Sequence, residues 1–456
     1  MANPSIKELE ERLKERVDEK AIRILHDHYT KRKDYDALKR MYLKVLEHDP
    51  NHVYAMRQLA RLFANRFQDY KTAESYYHRI LEVQPGDPLA HYNYGELLEY
   101  QLHDYERAKK QYELAIQNQP TFVQAYLNLA WLHLERFEDP QEAIRTLQKG
   151  LEQVEHWKLY AYQAYILYAY LDDHYDEAMA LCEKALELSP RNHLVLTYMG
   201  QIHLLLGQKE RAYERFQQAL ATGQLNHILV LEFCQLLIVE YRDFNQAIDL
   251  LKQAMDYFKD DAIYPCYLAN LHANIGKIQE AREYIRIAEE RPYKDQHALL
   301  LIGYLKAAVE QDPDDAMLYF EKVVEINPSN LNALSIVAFY KLFNERQIEE
   351  ALRYFNQIIE LNAPFYAAYF IAAQIYAEYY RDYQKALEIY NRINPDDLTP
   401  EVRAQLYFAI GRLYQTGFLD RQQALDYYEK AYETHPNKRL AAFLNRFYEE
   451  NKTLIN

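Results

Sequence analysis

Histidine pairs are the first residues of this chain to test for metal-binding chemistry. His26 and His28 are two residues apart, which on an α-helix turns their rings about 200° from each other, a poor arrangement for chelation. His48 and His52 are four residues apart, but Pro50 lies between them and breaks any helix that would align them. The spacing therefore predicts no metal site, and we expect no cofactor.

Motifs for nucleophilic or phosphate chemistry are also missing from the sequence. Gly276-Lys277 lacks the upstream glycine of a phosphate-binding loop, and neither G-x-S-x-G nor H-E-x-x-H occurs. The three cysteines, Cys182, Cys234 and Cys266, include no C-x-x-C pair, and an odd number does not suggest a disulfide framework. These features predict a protein that is not an enzyme and that resides in a reducing cytoplasm.

The overall composition favours helices and disfavours two classes of partner. The 456 residues include only 10 glycines and 15 prolines, which suits helices joined by short turns. The formal net charge of −15 opposes binding to nucleic acid or to anionic lipid, since both require clustered Lys and Arg. No apolar stretch reaches 18 residues and no apolar segment follows the amino terminus, so we expect neither membrane insertion nor a signal peptide.

Alanine recurs at an almost constant interval along most of the chain. The interval is 34 or 35 residues, except for a last step of 38. Leu38 stands one period upstream, so the pattern predicts about 12 repeats of mostly 35 residues. The recurring alanines are Ala73, Ala108, Ala143, Ala178, Ala212, Ala247, Ala281, Ala316, Ala351, Ala386 and Ala424.

Two further positions keep the register of these alanines. An aromatic or aliphatic residue or a cysteine stands four residues later, as at Tyr112, Phe216 and Cys182. A small residue such as Gly95 stands twelve or thirteen residues earlier, with Tyr165 as the exception. The small residue allows two helix backbones to approach closely, and the large one fills the adjacent gap. Each repeat is therefore predicted to be an antiparallel pair, a first helix followed by a second.

Helix ends follow the same period. Aspartate precedes many of the predicted second helices, as at Asp69, Asp104, Asp243 and Asp382, where it can accept hydrogen bonds from unpaired backbone N–H groups. Prolines fall about twelve residues after the recurring alanine, where a second helix should stop. These prolines are Pro50, Pro85, Pro120, Pro190, Pro328 and Pro436.

This layout resembles the tetratricopeptide repeat (TPR) family. Eleven repeats keep one register across residues 53–436, and most have one residue more than the usual ~34, placed in the turn between the two helices. Two repeats show the similarity most fully, through Tyr369, Ala372, Ala373, Tyr376 and Ala386, and through Tyr407, Ile410, Gly411, Tyr414, Ala424, Tyr428 and Pro436.

The resemblance implies an all-α fold, a right-handed α-solenoid of stacked antiparallel helix pairs that forms a TPR-like superhelix. We expect the solenoid to cover residues 18–436, with an N-terminal capping helix at 1–17 and a C-terminal capping helix at 437–456. Dimerisation through the first helix is an alternative to capping, so the oligomeric state stays open. The connection at 396–400 is the expected irregularity or hinge.

In this family the first helices line the concave face, so the resemblance implies a long inner groove. Its surface here is aromatic and amide-rich, which suits contact with peptides, although some of these side chains could merely fill the space between repeats. Phe343, Phe408 and Arg412 belong to this surface. The predicted binding residues are Tyr54, Arg57, Arg61, Tyr92, Asn93, Glu96, Tyr100, Asn128, Trp131, Tyr162, Tyr170, Gln201, Gln235, Asn270, Tyr304, Phe339, Phe370 and Gln374.

Some family members hold a C-terminal carboxylate with basic and asparagine side chains on three successive first helices. The matching positions here hold Arg57, Arg61, Asn93, Gln124 and Asn128, but the expected lysines are missing. A carboxylate clamp is therefore the weaker interpretation of these residues.

The cysteines are expected to differ in accessibility. Cys182 and Cys234 occupy packing positions and should be inert, whereas Cys266 is expected to face the groove, where its thiol could react.

Taken together, the resemblance and the surface predict a non-catalytic scaffold or adaptor that binds peptide or protein partners in its groove. An RNA-processing scaffold of the half-TPR type is one alternative, but it needs a basic stripe that the sequence lacks. A regulatory or recruiting subunit of an enzyme complex is another.

Overall fold

The computed structural model describes residues 5–455, with side chains to residue 450, and these residues form α-helices joined by short turns. Residues 1–4 and 456, which the predicted caps include, lie outside the described residues. Two compact halves divide the chain, an N-terminal half at 1–241 and a C-terminal half at 242–456. Each half is described by itself below.

The N-terminal half contains fourteen α-helices in the part that the structure describes. They are α1 (Ile6–Glu15), α2 (Glu19–Arg32), α3 (Tyr35–His48), α4 (Val53–Leu62), α5 (Tyr70–Val83), α6 (Pro88–Tyr100), α7 (Tyr105–Asn118), α8 (Val123–Glu135), α9 (Pro140–Gln153), α10 (Trp157–Tyr170), α11 (Tyr175–Leu188), α12 (His193–Leu205), α13 (Lys209–Leu220) and α14 (His227–Leu236).

The C-terminal half continues the series. Its helices are α15 (Phe244–Tyr257), α16 (Ile263–Asn274), α17 (Ile278–Glu290), α18 (Gln296–Leu305), α19 (Pro313–Ile326), α20 (Leu331–Phe343), α21 (Ile348–Glu360), α22 (Tyr366–Glu378), α23 (Tyr383–Asn391), α24 (Pro400–Leu413), α25 (Arg421–Thr434) and α26 (Lys438–Ile455). Within each half, even-numbered first helices and odd-numbered second helices pack as antiparallel pairs, and the pairs stack on one another. The fold is thus an all-α solenoid, as the periodicity predicts.

Close packing inside each pair depends on the small and large positions found in the sequence. The ring of Tyr112 on α7 lies against Gly95 on α6, and a Cβ atom on that glycine would be 2.6 Å from the ring. Tyr165, the one large residue at a small position, shares a buried cluster with Cys182, which occupies the large position of the same repeat. The two sizes are exchanged in that repeat, so it still combines one large residue with one small one.

The extra residue of the longer repeats lies in the turn between the two helices, as predicted. Asp104 donates its N–H to the carbonyl of Leu98, six residues back, at 2.9 Å. In a repeat one residue shorter, Gln208 donates to His203, five residues back, and Gly207 supplies a positive φ of 70° between them. Four of the longer turns are π-helical, at 63–67, 237–241, 306–310 and 414–418.

The predicted helix ends are confirmed. The carboxylates of Asp69, Asp104, Asp243 and Asp382 each accept a hydrogen bond from a backbone N–H in the first turn of the following helix. Each of the six prolines lies two residues beyond the last residue of a second helix, as Pro120 does after α7. Local chemistry alone decides these boundaries, because a cap or a proline acts within one turn.

The irregular connection is where the sequence places it. Helix α23 ends early at Asn391, and a short 3₁₀ turn at Pro395–Asp397 leads to α24. Leu398 is buried in this connection, and its carbonyl accepts a hydrogen bond from the Arg403 guanidinium at 3.4 Å. Whether it acts as a hinge stays a prediction.

Each chain end places apolar side chains against the neighbouring helices. On α1, Leu9 and Leu13 are buried in the same cluster as Leu25. On α26, Leu444 and Phe447 are buried beside Tyr428 of α25. This packing is what a cap requires, because an exposed apolar face would remain without it.

None of the described helices is both long and apolar enough to cross a membrane.

Candidate functional site

All of the predicted binding residues lie on first helices, and none is fully buried. Those most exposed to solvent are Arg61, Tyr100, Tyr170, Gln235, Asn270, Tyr304 and Gln374. Packing within each half therefore leaves the face of the first helices that carries these residues partly exposed to solvent.

A cleft of about 520 Å³ between α4 and α6, here termed the N-terminal cleft, brings seven predicted residues together. Their side chains combine two cations, a carboxylate, an amide and three phenols. The seven are Tyr54, Arg57, Arg61, Tyr92, Asn93, Glu96 and Tyr100.

One arginine of this cleft is already engaged within the protein. The Arg57 guanidinium forms an ion pair with Asp87, whose other carboxylate oxygen accepts backbone hydrogen bonds from the first turn of α6. Arg61, one turn further along α4, is exposed. Because Arg57 already neutralises Asp87, the geometry disfavours its use in a carboxylate clamp.

Hydrogen bonds link the first helices on the far side of the cleft. The Tyr92 hydroxyl donates to Glu96 at 2.8 Å, and the Asn128 amide donates to Tyr92 at 3.2 Å. Burial raises the pKa of Glu96, although the Tyr92 hydroxyl and Arg61 oppose the shift. The Asn128 amide is therefore used to connect α8 to α6.

A second buried carboxylate extends this network. The Tyr112 hydroxyl donates to Glu99 at 2.7 Å and also lies 3.4 Å from the Asn128 amide. Glu99 is 1% exposed, and burial raises its pKa. Glu99 is not among the binding residues predicted from the sequence; its signal is a carboxylate on the same helix face as small and apolar residues.

Aromatic side chains form the middle of the face in the N-terminal half. Trp131 stacks on Tyr165 with 6.1 Å between ring centroids. The Tyr162 ring packs edge-on against Trp131, with 6.4 Å between centroids. Tyr165 in turn packs against Tyr198 at 5.4 Å. Because these rings cover one another, much of the predicted aromatic surface also fills the space between repeats.

Polar groups at the edge of this aromatic cluster are paired as well. The Tyr168 hydroxyl donates to Gln201 at 2.6 Å, and the Gln201 amide donates to Glu232 at 3.2 Å. The exposed Tyr170 donates to Glu135 at 3.1 Å. Adjacent first helices are thus connected by side-chain hydrogen bonds, which hold the face in one arrangement.

In the C-terminal half, Phe370 and Gln374 line a cleft of about 680 Å³ between α22 and α24. Phe408 and Arg412 of α24 form the opposite wall. Phe339 lies on α20, edge-on to Phe355 at 5.5 Å. Sequence reasoning identified these residues one by one, but their association into a cleft depends on how α22 and α24 pack.

The expectation for Cys266 is wrong. Its side chain is buried, and its thiol lies 3.9 Å from the carbonyl oxygen of Ala298 on α18. Burial raises the pKa of Cys266 to about 12, and it does the same for Cys182 and Cys234. The residue points between adjacent helices of the C-terminal half and not toward the open face.

Three of the four histidines considered for metal binding hydrogen-bond to separate partners. His26 hydrogen-bonds to the Tyr42 hydroxyl at 2.6 Å, His48 to the Lys14 carbonyl at 3.1 Å, and His52 to Glu19 at 2.9 Å. Across residues 5–455, no three His, Cys, Asp or Glu side chains form a group that could hold a metal ion.

Family comparisons agree with this architecture. Family models described as "Tetratricopeptide repeat" match residues 97–156, 169–231 and 266–330. These segments are tetratricopeptide repeats. The matched segments cover α7 to α9, α11 to α13 and nearly all of α16 to α19, which confirms the resemblance seen in the sequence.

A curated relative carries the same repeats. The "TPR repeat-containing protein YpiA" of Bacillus subtilis (strain 168) is 25% identical over 163 residues. The match covers 34% of this chain and 36% of YpiA, so it spans about a third of the relative's length.

Solved structures with similar helices include two that span most of the chain. Yeast Tom70 is 12% identical, with 98% of this chain and 96% of that chain covered and a TM-score of 0.36. A monomeric mutant of IFIT1 with Gppp-AAAA is 15% identical, with 85% and 94% covered and a TM-score of 0.45. YrrB, described as a TPR protein with an unusual peptide-binding site, is 20% identical, with 42% and 96% covered and a TM-score of 0.32.

Proposed function

We propose that this TPR chain is a non-catalytic scaffold that binds peptide or protein partners on the open face of its first helices. The observation that carries the proposal is the N-terminal cleft, where seven polar and aromatic residues chosen from the sequence face one space of about 520 Å³. Phenols and amides at a partly open site provide contact area and hydrogen bonds to a peptide backbone.

Rigidity of the cleft supports the proposal. The bonds from Tyr92 to Glu96 and from Asn128 to Tyr92 fix side chains that would otherwise lose rotamer freedom on binding. The exposed Arg61 and Tyr100 at its opening remain available for a partner. A preorganised floor with accessible rim residues is the arrangement of a recognition surface.

The nature of the partner follows from charge. A net charge of −15 supports protein partners over nucleic acid, whose phosphates it would repel. The odd number of cysteines, with no C-x-x-C pair among them, supports a cytoplasmic location, as the proposal assumes.

Affinity capture from a cell lysate with matched variants tests the proposal. Arg61→Ala/Tyr100→Ala removes two rim side chains, and Lys110→Ala/Tyr257→Ala removes the same charge and ring from exposed positions on second helices. We expect at least one protein, quantified by mass spectrometry, to be captured by wild type and by the control but lost with the rim variant.

Circular dichroism must show unchanged helicity in both variants for the comparison to count. If the rim variant and the control retain the same captured proteins, the N-terminal cleft is not a recognition surface and the proposal is wrong. Co-purification of an enzyme whose activity changes on binding would instead favour a regulatory subunit.

A further inference from the structure

A second cleft adjoins the one between α22 and α24. It has a volume of about 850 Å³ and lies between α24 and α26. Gln405 and Phe408 line both clefts, so the two clefts meet at these side chains of α24. We refer to the combined space, from Phe370 to Phe443, as the C-terminal groove. It lies wholly within the C-terminal half.

Three phenylalanines line the C-terminal groove, one on each of three alternate helices. Phe370 lies on α22, Phe408 on α24 and Phe443 on α26. The Phe408 and Phe443 rings are 5.0 Å apart, edge to face, and Phe408 also packs on Tyr428 at 5.1 Å. All three phenylalanines remain partly exposed. They offer an apolar strip for partner side chains.

Cations outnumber carboxylates on the walls of the groove. Arg381 and Arg412 line the first cleft, and Lys438 and Arg439 line the second. The carboxylates of the two clefts are Glu378 and Glu401. Arg412 and Glu378 are 3.8 Å apart and more than half exposed, which makes a weak, solvent-screened pair.

The amino-terminal end of α26 adds to this positive potential. Lys438 is the first residue of that helix, and the Asn437 side chain accepts a hydrogen bond from the backbone N–H of Leu440 at 2.9 Å. The partial positive charge of the helix end therefore acts on the same wall as Lys438 and Arg439. Such a cationic wall stands out in a chain of net charge −15.

We propose that the C-terminal groove binds an acidic peptide segment whose apolar side chains pack on Phe370, Phe408 and Phe443 while its carboxylates pair with Arg412, Lys438 and Arg439. The inference rests on the proposed scaffold function and specifies the chemical character of one partner. Charge complementarity favours an acidic peptide, since a few carboxylates on the peptide can neutralise the cations on the groove walls. A polyanion of high charge density would meet the repulsion of the whole acidic chain.

Direct binding to a designed peptide tests the inference. The probe is a fluorescein-labelled peptide of about twelve residues, roughly 40 Å when extended, that alternates Glu with Phe or Leu. Its counterpart replaces each Glu with Lys. Fluorescence anisotropy should show saturable binding of the acidic probe alone, and the affinity should fall as salt is added.

Variants of the full chain locate the site. We expect Arg412→Gln to weaken binding of the acidic probe about fivefold, and Lys438→Gln/Arg439→Gln to weaken it about tenfold. Glu378→Gln, which frees Arg412, should tighten binding about twofold. The control Arg421→Gln/Arg446→Gln removes the same charge from exposed positions that line neither cleft, and it should bind as wild type.

Three outcomes would overturn the inference. The basic probe could bind as tightly as the acidic one, the wall variants could match the control, or an oligothymidylate could bind better than either peptide, in which case the groove takes single-stranded nucleic acid. Arg61→Ala/Tyr100→Ala should leave binding of the acidic probe unchanged. If the acidic probe does not bind in the C-terminal groove but capture through the N-terminal cleft succeeds, the inference is wrong and the scaffold proposal still holds.

Discussion

The ring of Phe320 on α19 lies on the backbone of Gly303 on α18, so closely that a Cβ atom on the glycine would be 2.9 Å from two ring carbons. The same pairing of a small and a large residue connects Gly95 with Tyr112 and Gly411 with Tyr428. A contact this close leaves no room for a methyl group, because protein interiors are packed as densely as organic crystals.

Gly303→Ala should destabilise the C-terminal half by roughly 1–2 kcal/mol. Overpacking costs about 1–3 kcal/mol, and the better helix propensity of alanine returns up to about 1 kcal/mol. Urea denaturation followed by circular dichroism measures the change. Gly303→Ala/Phe320→Leu recreates the pairing of Ala130 with Leu147 and should recover most of the loss. A double variant as unstable as the single one would contradict the contact.

Glu99→Gln should unfold at a higher urea concentration than wild type at pH 8, with the difference narrowing toward pH 5. Burial raises the pKa of Glu99, so the folded chain holds this proton more tightly than the unfolded chain. Its stabilising effect is complete below the unfolded pKa and is lost as the pH rises through the folded pKa. Glutamine stays neutral and can still accept from the Tyr112 hydroxyl.

Glu74→Gln is the matched control with the opposite sign. Burial pushes the pKa of Glu74 upward, but hydrogen bonds from Tyr94 and Arg107 outweigh it and hold the pKa below its usual range. This variant should be less stable than wild type at pH 8, and the gap should close as the pH falls. If both variants shift stability in the same direction, the Glu99 assignment is wrong.

Lys306→Met should cost about 3–5 kcal/mol of stability. The buried ammonium lies 2.8 Å from Glu289, 2.9 Å from Glu310 and 2.8 Å from Asp315, and its loss leaves these carboxylates close together. Lys385→Met removes an exposed lysine 3.3 Å from Glu388 and should cost less than about 1 kcal/mol. Equal losses of unfolding free energy in the two variants, measured by urea denaturation, would show that burial of Lys306 adds nothing to the stability of its ion pairs.

Thiol labelling should find the cysteines unreactive in the folded protein. Burial raises the pKa of Cys182, Cys234 and Cys266 to about 12, so few thiolates form at pH 8 and none lies at the surface. With an aromatic disulfide reagent, we expect negligible reaction until urea unfolds the chain, when all three thiols react. Rapid labelling of Cys266 under native conditions would restore the original expectation that it faces solvent.

The amino-acid sequence by itself determined the repeat, its length and most helix ends. Alanines at intervals of 34 or 35 residues, prolines such as Pro120 and aspartates such as Asp104 act within one helix or one turn, so their effect can be read locally. The first-helix positions of the candidate binding residues follow from the same period. None of them is fully buried, although whether they bind a partner stays a proposal.

Only the tertiary structure decided which of those side chains are available. Arg57 is engaged by Asp87, the Asn128 amide by Tyr92, and Cys266 is buried against α18. Each of these partners lies about thirty residues or more away, on a neighbouring repeat, and repeat register alone does not determine which rotamer a long side chain adopts there. The C-terminal groove likewise exists because α22, α24 and α26 pack side by side, which brings together phenylalanines and cations that are far apart in the chain.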